Sequence, residues 1–195
     1  KKTFTHVGPT LLIVNPFVYI DGVYGENQIE RHLRKQEQEH PDRRTHISEP
    51  HLYDLVLIAI KQLLKPNSNN QALVISGESG AGKTEATKNA MKCITYYFSK
   101  NGTKCSSSSN SNDNVPLETQ ILNCNPILES FGNAKTVRND NSSRFGKYVK
   151  IKLNSITNVI EGAEMSTYLL EKSRISELNE KERNYHIFYA RLNCG

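Results

Sequence analysis

The sequence predicts an α/β fold: a mixed, mainly parallel sheet flanked by helices. Three observations carry this. Short apolar runs, "TLLIVN" (10–15) and "QALVIS" (71–76), alternate with stretches of helical periodicity. A glycine-rich segment, "GESGAGKT" (77–84), joins the second run to a helical stretch. Further on, "KYVKIKLN" (147–154) and "NVIEGAEMSTYLL" (158–170) surround a short turn and predict an antiparallel pair.

The elements follow in order. Thr10–Asn15 reads as a buried strand ended by Pro16. The mixed-charge stretch "RHLRKQEQEHPDRR" (31–44) reads as a solvated loop or helix. A helix should follow Ser48-Glu49-Pro50, with Ser48 as cap and Pro50 where a missing donor is tolerated. Leu52, Leu55, Val56, Ala59 and Leu63 keep its helical spacing, and Leu57, Ile58 and Ile60 add a second apolar side. It should stop before Pro66 and "PNSNN". Gln71–Ser76 is expected as a central strand buried on both faces. After the glycine loop, Thr87, Ala90, Met91, Ile94, Tyr97 and Phe98 mark one face of a helix. The Ser- and Asn-rich stretch 100–116 holds one apolar aliphatic residue, Val115, and is expected as a flexible surface loop. "LETQILNCNPILESFGNA" (117–134) reads as helical on both sides of Pro126, kinked there or restarting with Asn125 as cap. On the strand 147–154, Val149, Ile151 and Leu153 share a face. Tyr185, Phe188, Tyr189 and Leu192 predict a last helix.

Composition narrows the function classes. With 36% hydrophobic and 23% charged residues in 195, the chain reads as one globular, soluble domain without a second one. Its longest apolar runs are too short to span a membrane, and no signal peptide opens it. The net charge of +5 is mild and its basic residues are mixed with acids, which argues against a nucleic-acid surface. Cys93, Cys105, Cys124 and Cys194 form no C-x-x-C pair, so they are expected as reduced thiols in a cytoplasmic protein. His40, His46 and His51 fit no ligand pattern and are expected as ordinary surface or loop residues.

Gly77, Gly82, Lys83 and Thr84 fill G-x-x-x-x-G-K-[ST], with a strand expected before and a helix after. Glycines let backbone amides turn inward toward phosphate oxygens, and the helix start aims free N–H groups at the same place. Lys83 can reach the outer phosphates, and the Thr84 hydroxyl can ligate Mg²⁺. Such a loop is compatible with a kinase, a GTPase or a transporter ATPase. A second constellation, "VRNDNSSRFGKYV" (137–149), places Asn139, Asn141, Ser142, Ser143 and Arg144 on a segment that leads into a strand. Beside a phosphate loop, it reads as a switch that touches Mg²⁺ and a γ-phosphate and lets go when that phosphate leaves.

"GESGAGKTEATK" together with "ILESFGNAKTVRNDNSSRFGKYV" resembles the myosin motor head. "THVGPTLLIVNPF" (5–17), "YLLEKSRI" (168–175) and "ERNYHIFY" (182–189) extend the resemblance over nearly the whole chain. The resemblance implies a P-loop NTPase core, and the chain reads as a fragment from the first part of a motor domain. It implies Mg-dependent ATP hydrolysis coupled to movement on actin filaments, with ATP and Mg²⁺ as cofactors. Light chains or calmodulin are possible partners of the parent, which would belong to the cytoskeleton. By the same resemblance Gly77, Glu78, Ser79, Gly80, Ala81, Gly82, Lys83 and Thr84 form the phosphate loop. Lys83 neutralises the β- and γ-phosphates, and Thr84 and Ser143 are the Mg²⁺ ligands. Asn139 and Ser142 contact the γ-phosphate and the attacking water. Arg144 pairs with a glutamate of a second switch, and Asn15 lies against the adenine pocket. Between Asn15 and Tyr24 the chain is one residue longer than the common pattern, with Val18 and Tyr19 where a basic residue often stands, which leaves the contacts of Tyr24 open.

A kinesin-like head shares an Asn-x-x-Ser-Ser-Arg switch. Here, however, the loop reads "GESGAGKT" and the switch continues "FGKY", where the kinesin-like pattern has Gln-Thr-Gly-Thr and Ser-His. A third reading is an inert nucleotide-binding piece without turnover, because an Asp-x-x-Gly-Phe-Glu second switch is not among these residues. On that reading Arg144 lacks its partner, and the first switch should stay open or mobile.

Overall fold

The computed structural model describes residues 3–38, 49–101, 120–121, 123–154 and 157–192. The chain divides into two compact units, Lys1–Gly77 with Ala81–Gly102 and Glu78–Gly80 with Thr103–Gly195.

In the first unit, β1 (Phe4–Val7) pairs antiparallel with β2 (Thr10–Ile13), Phe4 opposite Ile13 and Val7 opposite Thr10. Gly8 makes the turn at φ 58°, a left-handed conformation that costs glycine little. The strand expected at 10–15 is thus real but ends at Ile13, and it is alternately half-buried and exposed rather than buried. Among the described residues β1 is its one paired neighbour, which leaves its outward side chains exposed.

Three helices make the core of this unit: α1 (Glu26–Gln38), α2 (Leu52–Leu63) and α3 (Lys83–Asn101). Ile29 of α1, Tyr53, Val56 and Leu57 of α2, and Cys93 of α3 are at most 1% exposed. Burial of such side chains contributes about 1.5–3 kcal/mol each. The expected apolar face of α2 is rotated toward its second side: Val56, Leu57 and Ile60 are buried, whereas Ile58 is exposed and Leu55 is half-buried. The helix stops ahead of Pro66, with Leu64 as its C-cap. On α3, Ala90, Met91 and Phe98 of the predicted face are buried. Lys100 and Asn101 belong to this helix rather than to a loop, and the rest of the stretch expected as a flexible loop lies outside the described residues.

The start of α2 departs from expectation. Ser48 lies outside the described residues, and the cap is His51, whose Nδ1 accepts from Tyr53 N at 3.1 Å. His51 is not a surface residue. It is 7% exposed, and its ring stacks on His32 at 4.5 Å. Nε2 contacts Val23 O at 2.9 Å, and since Nδ1 accepts, Nε2 carries the proton. His40 and His46 lie outside the described residues.

Gln71–Ser76 is not a strand. It is unpaired among the described residues, and Val74 is 90% exposed. An apolar β-branched run becomes a buried strand only when neighbouring strands supply the ladder, and no described segment does so here. Every described strand pair is antiparallel, in three two-stranded sheets, so helices and strands are mixed as expected but the mainly parallel sheet is not among the described pairs.

In the second unit, α4 (Asn125–Gly132) runs into β3 (Asn133–Ala134), which pairs with β4 (Ser142–Ser143). The cap of α4 is Cys124, not Asn125. Asn125 is the first helical residue and is buried, with its Oδ1 accepting from Lys147 Nζ. Pro126 fits the first turn because the donor it lacks has no helical acceptor there. The predicted hairpin is present: β5 (Gly146–Asn154) and β6 (Val159–Tyr168) pair from Gly146↔Tyr168 to Asn154↔Val159. Val149, Ile151 and Leu153 are its less exposed face. A 3₁₀ turn (Lys172–Ile175) and α5 (His186–Leu192) follow, and α5 buries none of its own residues although Tyr185 before it is 2% exposed. Among the described residues, no helix is long and apolar enough to cross a membrane.

Candidate functional site

The glycine loop takes the shape its composition demands. Gly80 and Gly82 sit at φ 80° and 91°, in the region that favours glycine. The chain then enters α3 at Lys83, and the amides of the first turn point out of the helix start. Lys83 Nζ donates to Gly77 O at 2.7 Å, so the ammonium is folded over its own loop. Thr84, next along the first turn, is exposed.

Within the first unit, Gly82 faces Asn15. A Cβ built on Gly82 would stand 3.7 Å from Asn15 Cβ and Cγ. Asn15 Oδ1 accepts from Phe17 N at 3.0 Å, which closes a turn, and Phe17 adopts φ 54°. A cavity of about 360 Å³ opens here, lined among others by Asn15, Pro16, Tyr24, Gly82, Glu85 and Asn89. Its size is that of a small-molecule pocket. Tyr24 lines it, and burial, then the carboxylate of Glu85, raises its phenol pKa. Val18 and Tyr19 line the cavity as well and remain largely exposed.

Within the second unit, the loop residues Glu78–Gly80 meet the segment 136–144. Ser79 Oγ donates to Ser142 Oγ at 2.8 Å, and Asn139 Nδ2 donates to Ser79 Oγ at 3.5 Å. A Cβ on Gly80 would approach Asn139 Nδ2 at 3.9 Å. Asn139 is held by a tight turn in which Thr136 N and Oγ1 donate to Asn139 O at 2.8 and 3.1 Å. Asn139 Oδ1 in turn accepts from Asn141 N at 3.0 Å, and Asn141 Oδ1 accepts from Asn133 Nδ2 at 2.9 Å. Ser142 is 2% exposed, whereas Ser143 is exposed. The β3–β4 ladder fixes both, Ser142 opposite Ala134 and Ser143 opposite Asn133.

Arg144 is paired. Its Nε donates to Glu171 Oε2 at 2.7 Å, and a second guanidinium nitrogen donates to Ser142 Oγ at 3.3 Å. This overturns the expectation of an Arg144 without a partner: a glutamate of this chain takes it. Arg174 Nε donates to the same Glu171 oxygen at 2.7 Å, and Arg174 also reaches Glu182 at 3.0 Å. The Arg144 hydrogen bond, and then that of Arg174, hold the Glu171 carboxyl down at about 2. Sequence reading missed Glu171, Arg174 and Thr136. The signal for the first two was an acid three residues before an arginine in "LLEKSR", but the other partner of Glu171, Arg144, lies 27 residues away.

The residues expected at the site thus fall into two local sets. Asn15, Gly82, Lys83 and Thr84 belong to the first unit, whereas Ser79, Gly80, Asn139, Ser142, Ser143 and Arg144 belong to the second. The donor chemistry fits a polyphosphate and a hard divalent cation: glycine-borne backbone amides, one ammonium and neutral hydroxyls.

A family model described as myosin head (motor domain) matches residues 1–194. Over 95% of this chain, Myosin-3 of Arabidopsis thaliana is 44% identical and the myosin IC heavy chain of Dictyostelium discoideum is 42% identical. A probable myosin heavy chain of Encephalitozoon cuniculi is 41% identical over 99% of it. The chain spans 14%, 14% and 10% of those three relatives, respectively.

Proposed function

We propose, from the premise that this chain belongs to the myosin head (motor domain) family, that it is the ATP-binding portion of an actin-based motor. The reading takes the whole chain as one stretch of a motor domain with a P-loop NTPase core. In it, Gln71–Ser76 would become a strand of a mainly parallel sheet once neighbouring strands are present. The observation that carries the reading is the glycine loop itself. It holds two left-handed glycines, runs into a helix start, and has Ser79 hydrogen-bonded to Ser142 of the switch segment.

Each residue then has a task. The amides of Gly77, Glu78, Ser79, Gly80, Ala81 and Gly82 cradle phosphate oxygens, helped by the positive end of α3. Lys83 exchanges its carbonyl partner for β- and γ-phosphate oxygens, a stronger charge-assisted contact. Thr84 and Ser143 would hold Mg²⁺, which when bound neutralises charge on the phosphates and orients them. Asn139 and Ser142 position the γ-phosphate and the attacking water, and Arg144 stabilises that segment. Asn15 lies against the base, in a cavity of suitable size. Catalysis is then positioning and charge stabilisation rather than covalent chemistry. Release of the γ-phosphate would free the switch segment and bias the elements attached to it, β5 and β6 first. Actin filaments would be the track. Light chains or calmodulin would bind elsewhere in the full-length protein, which would work at the cytoskeleton in the cytoplasm.

Lys83→Ala in the full-length protein tests this reading. Loss of a hydrogen-bonded cation removes about 1.5–3 kcal/mol, so Mg-ATP affinity by isothermal titration should fall by roughly ten- to a hundredfold. Unchanged affinity and turnover would refute the assignment.

A further inference from the structure

We propose that Glu171 is a positioning residue for Ser142, acting through Arg144, with Arg174 holding the Glu171 carboxylate in place. The proposal rests on the nucleotide reading above. It starts from the direction of the hydrogen bonds. Asn139 donates to Ser79, Ser79 donates to Ser142, and Arg144 also donates to Ser142. With two donors aimed at its oxygen, the Ser142 hydroxyl spends both lone pairs on the network, and its own hydrogen is left to donate to a ligand or water oxygen. Ser142 therefore acts as an oriented donor only while Arg144 stays in place.

Glu171 keeps it there. Its Oε2 accepts from Arg144 Nε at 2.7 Å, and its backbone N donates to Arg144 O at 3.0 Å. The backbone is tied down from the other side by Tyr185 Oη, which donates to Glu171 O at 2.7 Å. Arg174 supplies the anchor. It is 5% exposed and spreads its guanidinium over both Glu171 oxygens, Glu182 Oε2 and Arg183 O. Two arginines face two glutamates, so the cluster is charge-balanced and the buried Arg174 is compensated. Glu171 thus has one arginine close to it in sequence, Arg174, and one, Arg144, on the segment that carries Ser142. Arg144 can leave without stranding the carboxylate, which makes its contact with Glu171 reversible.

The test is a double-mutant cycle in the full-length protein, read as kcat and KM for Mg-ATP. Glu171→Gln keeps the shape and both backbone bonds but weakens the grip on Arg144. It should lower kcat by roughly tenfold with KM within about twofold of the unaltered protein, because Ser142 then orients the attacking water less well while the loop's hold on the nucleotide is untouched. In an Arg144→Ala background the same change should have no further effect, since its route to Ser142 is already cut. Glu171→Asp, which keeps the charge, should fall between and covers the case in which the glutamine variant does not fold. Wild-type kcat in both Glu171 variants, equal losses in kcat/KM through KM alone, or additive effects with Arg144→Ala would overturn the proposal. An unaltered protein that fails to bind Mg-ATP, with Lys83→Ala indistinguishable from it, overturns the nucleotide reading first and this one with it.

Discussion

Acid should loosen the three-helix core through His51. The ring sits between α1 and α2 with both nitrogens committed, one accepting from Tyr53 N and the other donating to Val23 O. Aromatic rings cover it, and the charged groups that face it are His32, Asp54 and Lys35. His32 stacks on it and is itself held by Asp54 at 2.7 Å, while Phe4, Tyr24 and Tyr53 cover the rest, and Lys35 adds repulsion from α1. Burial first, then the charge of His32, lowers the His51 pKa from 6.5 to about 4. A histidine depressed in the folded state is neutral there while the unfolded chain takes up a proton. Its contribution is therefore full above the unfolded value, is lost as pH falls from 6.5 toward 4, and falls no further below that. At about 1.4 kcal/mol per unit the whole loss is roughly 3 kcal/mol, of which about 2 kcal/mol is gone by about pH 5. Amide hydrogen exchange of α1 and α2 in the full-length protein, at about pH 7.5 and about pH 5 after correction for intrinsic rates, reads this as a local opening energy. His51→Asn should flatten the pH dependence while lowering stability at neutral pH. An opening energy that does not change between the two conditions, or a variant with the same slope as the unaltered protein, would refute the reasoning.

Two further outcomes follow from packing. Gly132→Ala would drive a methyl into the Phe145 ring at the end of α4, well inside contact distance. Since Arg144 N bonds Gly132 O, the variant should lose about 1–3 kcal/mol of stability by overpacking and also lower ATP turnover, seen by thermal unfolding and phosphate release; wild-type behaviour in both would contradict it. Cys93 is fully buried and its thiol is pushed up to about 12 by burial, so iodoacetamide under native conditions should label the exposed Cys124 and leave Cys93 unmodified, as peptide mass spectrometry would show.

What was legible in the sequence was whatever a single segment decides. The glycine loop, the helix after it and the β5–β6 hairpin depend on local spacing and turn chemistry, and all three are in place. Gln71–Ser76 shows the opposite case. Its apolar run is as strand-like as any in the chain, yet β structure belongs to pairs of segments, and a run with no paired neighbour among the described residues stays irregular and exposed. His51 failed for a related reason. A polar ring three residues past a serine expected as the cap looks like a loop residue until α1 brings His32 against it from 19 positions earlier, taking 51 minus 32.

The same distinction runs through the candidate site. Asn139, Ser142 and Arg144 could be picked out because they sit close together on one short polar segment in a chain that also carries the glycine loop. Their orientation could not, because it is set by Asn133 of β3, by Thr136 in the turn that ends at Asn139, and by Glu171 in the stretch after β6. Arg144 makes the point most directly. The sequence leads one to expect it on a switch segment, paired with a glutamate of a second-switch motif that is not among these residues. Glu171, 27 residues away, takes the charge instead. Because Arg174 secures that carboxylate independently, the pairing can break without leaving a buried charge uncompensated. A partner that holds without trapping is what a segment needs if it must close on one ligand state and open on another.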